Sequence, residues 1–213
     1  MSIPVGGEVE TVGDLVLPTS VQGLVMFAHG SGSSRHSPRN RQVGRALNER
    51  RLGTLLLDLL TVEEDLDRAN VFDIELLADR LVAGTRWAQR EPDLGELPVG
   101  YFGASTGAGA ALWAAAELGD EIGAVVSRGG RPDLAATRLP EVRAPVLLIV
   151  GGQDEVVLEL NREARSILRA ASEMAVVPGA THLFEEPGAL EEVSRLAGDW
   201  FERHLTSAQV PVT

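Results

Sequence analysis

Apolar residues recur along this chain in two rhythms. Runs of four to seven mostly apolar or β-branched residues, at 23–28 (GLVMFA), 54–60 (TLLLDLL), 98–102, 122–127, 145–150 and 174–177, alternate with longer stretches where apolar positions return every three or four residues. The first rhythm predicts strands and the second predicts helices. Several of the strands are apolar at nearly every position, as expected when helices cover both faces of a sheet. Helices are predicted at 40–51, 72–90, 108–118, 159–170 and 187–205. In 72–90, Ile74, Leu77, Leu81 and Ala88 fall on one face, and in 40–51 Val43, Ala46 and Leu47 do the same. The alanine-rich 108–118 suits close packing on a sheet. A further strand or hairpin arm at 8–17 opens the chain and stops at Pro18. Alternating strand and helix predict a largely parallel α/β sheet. No repeat or linker breaks the pattern, so residues 1–213 are expected to form a single domain with 206–213 as a frayed tail.

In a parallel sheet the loops that leave the C-terminal ends of the strands share one edge, and the chemistry-bearing residues cluster in those loops. Gly103-Ala104-Ser105-Thr106-Gly107 is a G-x-S-x-G between an apolar strand and a helix. Such a turn holds a serine hydroxyl over the sheet edge, glycines on either side removing collisions with neighbouring backbone. The same five residues would also serve as a plain strand-to-helix turn. A serine hydroxyl needs a base within hydrogen-bond reach to take its proton. Of the four histidines, His182 lies in a loop after the last strand, on the same edge; His204 sits at the end of the final helix, where a basic group favours the helix dipole. The base needs an acceptor in turn, and Asp154 follows an apolar strand through two glycines. The chain order Ser105, Asp154, His182 is the order of an α/β-hydrolase triad.

Acyl transfer passes through an oxyanion that backbone N–H groups stabilise. Thr106, directly after the serine, is expected to supply one donor. Ser31, in His29-Gly30-Ser31-Gly32 after the first buried strand, is expected to supply the other, the alternative for this loop being a flexible turn. The stretch 33–41 (SSRHSPRNR) is basic within an acidic chain, and Arg128 and Arg131 follow the strand after the Ala-rich helix. Arg35 and Arg128 are the candidates for holding a carboxylate or phosphate on a substrate. Pairing with surface acids is the equal alternative. Only residues 128–144 separate the two strands around them, too few for a large lid domain, so an open site for small substrates is expected.

The motifs HGSGSS at 29–34, FDIELLADRL at 72–81, GASTG at 103–107, GGQDEVV at 151–157 and GATHLF at 179–184 together resemble the dienelactone-hydrolase-like branch of the α/β-hydrolase superfamily, from about Val21 to Leu205. That resemblance implies an α/β-hydrolase fold, with a mostly parallel central sheet and helices on both faces. It puts Ser105, Asp154 and His182 at the triad positions. Dienelactone hydrolases proper use a cysteine nucleophile; the serine here points to ordinary esters instead.

Composition narrows the alternatives. The chain is 44% apolar and 23% charged, ordinary for a globular protein. With no cysteine there is no disulfide, thiolate metal site or Cys nucleophile. A net charge of −12 argues against nucleic acid. No run of 18 apolar residues predicts a membrane span and no secretory signal is visible, so a cytoplasmic location is expected. No H-E-x-x-H pair or Walker loop occurs, so no metal and no cofactor is expected. A carboxylate nucleophile would be needed at 105 for dehalogenase chemistry. The reading is a serine hydrolase of a small carboxylic ester, lactone or thioester, the substrate being anionic if the arginines hold it rather than pair with surface acids. The alternatives are an acyltransferase on the same triad and a catalytically silent binding protein of this fold.

Overall fold

The computed structural model describes residues 1–7 and 9–205. Residue 8, at the start of the expected 8–17 strand, and the 206–213 tail lie outside the described residues. Eight strands form one sheet: β1 (Ser2–Pro4), β2 (Glu10–Val16), β3 (Gly23–Ala28), β4 (Leu52–Leu57), β5 (Val99–Ala104), β6 (Ile122–Arg128), β7 (Val146–Gly151) and β8 (Ser172–Val177). Their order is β1-β2-β4-β3-β5-β6-β7-β8. The β1–β2 and β2–β4 pairs are antiparallel and the others parallel. This is the α/β-hydrolase fold.

Period-2 alternation sorts the side chains of each strand between two cores. From β3, Leu24, Met26 and Ala28 join one core with Leu77 and Leu81 of α3 (Ile74–Ala88) and Ala111 and Leu112 of α4 (Thr106–Leu118). Val25 and Phe27 join the other, with Val43 and Leu47 of α1 (Pro38–Glu49) and Phe201 of α6 (Ala189–Leu205). The fifth long helix, α5 (Glu155–Ile167), buries Ala164 in the first core. Helices therefore lie on both faces, and the uninterrupted apolar runs follow from that double burial.

The differences from the sequence reading have local causes. The expected helix 72–90 is α3, which starts two residues later because the Asp73 side chain caps it by accepting the Leu76 N–H; a separate short helix, α2 (Arg68–Phe72), precedes it, mostly outside the expected range. α1 starts at Pro38 because the Ser37 hydroxyl caps it. α5 starts four residues earlier than expected, since exposed Val156 blurs the period of its first turn. β4 spans Leu52–Leu57, ending before Asp58, whose carboxylate takes up Arg35. β1 is too short to leave a pattern, although Ile3 is fully buried. Between β6 and β7 there are two 3₁₀ turns, Pro132–Ala135 and Leu139–Glu141, and no lid. No helix among the described residues is long and apolar enough to cross a membrane.

Candidate active site

β5 delivers Ser105 to the C-terminal edge of the sheet, and α4 leaves from it. Between them Ser105 has φ 51° and ψ −122°, a conformation a non-glycine residue adopts only when its surroundings impose it. Three backbone bonds impose it: Ser105 N–H to the Arg128 carbonyl (3.3 Å), and Ala108 N–H and Arg131 N–H to the Ser105 carbonyl (both 3.0 Å). At Gly107 any Cβ would overlap the carbonyls of Ala28 and His29, so glycine there is what lets the elbow approach the end of β3.

β7 ends at Gly151, where a Cβ would come 2.6 Å from the Thr181 carbonyl, so this glycine brings the Asp154 loop against the His182 loop. Asp154 occupies the N-cap position of α5, yet its side chain makes no capping bond. Oδ2 instead lies 2.6 Å from His182 Nδ1. Asp154 is largely buried and the imidazole about 39% exposed. Ser105 and His182 line one cavity of about 230 Å³, together with Ser31, Arg39, Asn40 and Arg128. Among the described residues no hydrogen bond joins the Ser105 hydroxyl to the imidazole; in substrate-free sites such bonds are often long.

The loop after β3 is held from both sides of one peptide unit. The Gly30 carbonyl accepts from His29 Nδ1 (3.1 Å) and from Ser33 N–H (3.2 Å), and the Ser31 N–H donates to Thr106 Oγ1 (2.8 Å). His29 Nε2 accepts the Leu59 N–H at 3.1 Å, which leaves the ring proton on Nδ1. Burial pushes the His29 pKa down, keeping the ring neutral. Sequence reasoning assigned His29 no role; its signal was a histidine ending an all-apolar strand, where only a neutral, doubly bonded ring is tolerated.

The arginines separate. Arg35 does not line the Ser105 cavity. Its guanidinium is bonded to Asp58 and lies 3.5 Å from Asp14, in a neighbouring pocket, so the expectation that it binds substrate is corrected. Arg41 pairs with Asp14 and Arg131 with Asp133. Arg128 is 5% exposed and lines the cavity; its Nη2 donates to Asn40 Oδ1 (3.2 Å), its Nε has no partner, and the Phe184 ring lies 5.8 Å away. Burial, with Arg39 nearby, pushes its pKa down to about 10. His204 packs at a tilt beside Trp200, with 4.4 Å between ring centroids, and burial and Arg203 lower its pKa, in keeping with a structural role at the helix end.

A family model described as "Dienelactone hydrolase family" matches residues 67–206. The chain belongs to the dienelactone hydrolase family. This family member is 55% identical to a crystal structure described as a dienelactone hydrolase from Anabaena variabilis, with a TM-score of 0.93 and 96% of each chain covered. Est1E from Butyrivibrio proteoclasticus shares the fold, with a TM-score of 0.82 at 17% identity over 95% of this chain and 97% of that one. A Mycobacterium tuberculosis protein (strain H37Rv) named "Putative phosphoribosyl transferase" is 61% identical over 201 residues, which are 94% of this chain and 45% of that protein. The chain thus spans about half the length of the curated relatives it matches.

Proposed function

We propose that this dienelactone hydrolase family member is a serine hydrolase that cleaves a small carboxylic ester, thioester or lactone through an acyl-serine intermediate. The observation that carries the reading is the 2.6 Å bond from His182 Nδ1 to Asp154, beside a cavity that Ser105 enters on a turn with φ 51°. Asp154 accepts the Nδ1–H, which leaves Nε2 free to act as base. Ser105 Oγ attacks the substrate carbonyl carbon while Nε2 takes its proton. The oxyanion meets the N–H groups of Thr106 and Ser31, the latter exchanging the Thr106 hydroxyl for it. Collapse breaks the bond to the leaving oxygen or sulfur, which departs with the proton from His182. Water then attacks the acyl-serine and gives a proton to His182. The acid is released and Ser105 regains its proton.

A fluorophosphonate label and short p-nitrophenyl esters test this reading. The wild type is expected to label and turn over. Ser105→Ala is expected to do neither, losing about 10⁴-fold or more in kcat. A wild type that is unlabelled and inactive across several acyl lengths would instead support a silent binding protein. Products formed on an added alcohol faster than on water would support an acyltransferase.

A further inference from the structure

Arg128 is a guanidinium that the fold buries without an anion. Among the described residues it forms no ion pair, and of its five N–H donors one is used, by the neutral Asn40 amide. Nε is buried without a partner. A buried charge with no counter-ion is costly, and proteins ordinarily pair it. The chain has 31 acidic residues against 19 basic ones, so partners are plentiful; yet no residue lining the Ser105 cavity is acidic. The carboxylates nearby are engaged elsewhere, Asp154 on His182 and the exposed Glu185 on Arg39 at 3.0 Å. Arg39 faces the same cavity and adds a second positive charge that further disfavours the charged form of Arg128. An anion seated between the two would relieve both the repulsion and the missing partner.

We infer that Arg128, with Asn40 and Arg39, forms a seat for a carboxylate or phosphate group on the substrate, so that the preferred ester, thioester or lactone carries an anion a few bonds from its scissile carbonyl. The distance follows from the cavity: about 230 Å³ is the volume of about eight liquid water molecules, and Ser105 and Arg128 share it. A guanidinium grips either anion through paired N–H donors. The inference rests on the serine-hydrolase reading for where the anion sits relative to the reacting carbonyl. Binding of the anion itself does not depend on that reading.

The experiment has two arms. Calorimetry on Ser105→Ala with succinate, inorganic phosphate and neutral butyramide reads binding without turnover. One of the two anions is expected to bind and butyramide not to, and the anion that binds tells carboxylate from phosphate. Adding Arg128→Met is expected to weaken that anion by about tenfold to a hundredfold, as charge-assisted bonds are lost. In the second arm, kcat/KM is compared for the p-nitrophenyl monoester of succinate and for p-nitrophenyl butyrate. Arg128→Met is expected to lower the anionic-to-neutral ratio by about tenfold or more. Asn40→Asp, which keeps Arg128 but gives it an internal carboxylate, is expected to lower the same ratio. An unchanged ratio in both variants, with neither anion binding to Ser105→Ala, overturns the seat while leaving a labelled, active serine hydrolase intact. Arg128-dependent anion binding in a chain that neither labels nor turns over sinks the hydrolase reading and keeps the seat.

Discussion

Two pockets flank the loop between β3 and α1, and they treat arginine in opposite ways. The one of about 190 Å³ is walled by His29, Arg35, His36, Asp58 and Asp65, and its arginine is matched: Asp58 takes both the main-chain N–H and the guanidinium of Arg35. The one of about 230 Å³, with Ser105 and His182, holds Arg128 with no acid on its wall. In the first pocket polar groups find each other and hold loops in place. In the second they are left open. At the end of β6 a chain with an excess of acids buries an arginine where no acid lines the cavity beside it.

The sharpest way to break this contrast compares the two carboxylates. Asp154→Asn removes the acceptor that orients His182 and is expected to lower kcat by about 10⁴-fold with the fold intact. Asp58→Asn weakens the grip on Arg35 and is expected to lower stability by about 1–3 kcal/mol while leaving kcat within a few-fold. Ester kinetics and urea unfolding on both variants check the pair. Comparable rate losses in the two would show that the pockets do not divide catalysis from support.

The two arginines give the next contrast, read by unfolding alone. Arg35→Met is expected to destabilise by about 1–3 kcal/mol, because Asp58 loses its charged partner. Arg128→Met removes a buried charge whose one hydrogen bond among the described residues is to an amide, and is expected to raise stability by about 1 kcal/mol or more. A loss of stability in Arg128→Met would mean that the guanidinium is satisfied as it stands.

This contrast also marks how far the sequence can be read. Ser105, Asp154 and His182 are legible as neighbours because each lies in the turn or loop that leaves a strand's C-terminal end, and a parallel sheet gathers such positions on one edge. The run GLVMFA is legible as a strand buried on both faces, and it matches β3 residue for residue. Arg35 and Arg128 are not distinguishable in the same way: each follows a buried strand and lies in a stretch rich in arginine. What separates them is Asp58, 23 residues beyond Arg35 and at the end of a neighbouring strand, a proximity that no local pattern encodes. The start of α3 is blurred likewise, because Phe72 and Asp73 read as its first residues until the aspartate side chain is seen capping it.

The smallest expected effect lies in the matched pocket and concerns His29. Its ring is neutral in the folded protein because burial pushes its pKa down from the ordinary value near 6.5, outweighing the Gly30 hydrogen bond and the acids Asp58 and Asp65 that push it up. A group whose folded pKa is depressed binds its proton more readily in the unfolded chain. Stability is therefore fully present above about pH 6.5 and is lost as pH falls below it, towards the folded value, by up to about 1.4 kcal/mol per pH unit for one proton. The loss has a structural address, since a proton on Nε2 ends the acceptance of the Leu59 N–H and sets two donors against each other in a buried place. Urea unfolding of the wild type between pH 5 and 8 is expected to show this decline. In His29→Gln, an amide without a titrating group is expected to lower stability at pH 8 but to flatten the slope below pH 6.5. Equal slopes in the two proteins would place the acid sensitivity elsewhere and leave His29 as packing alone.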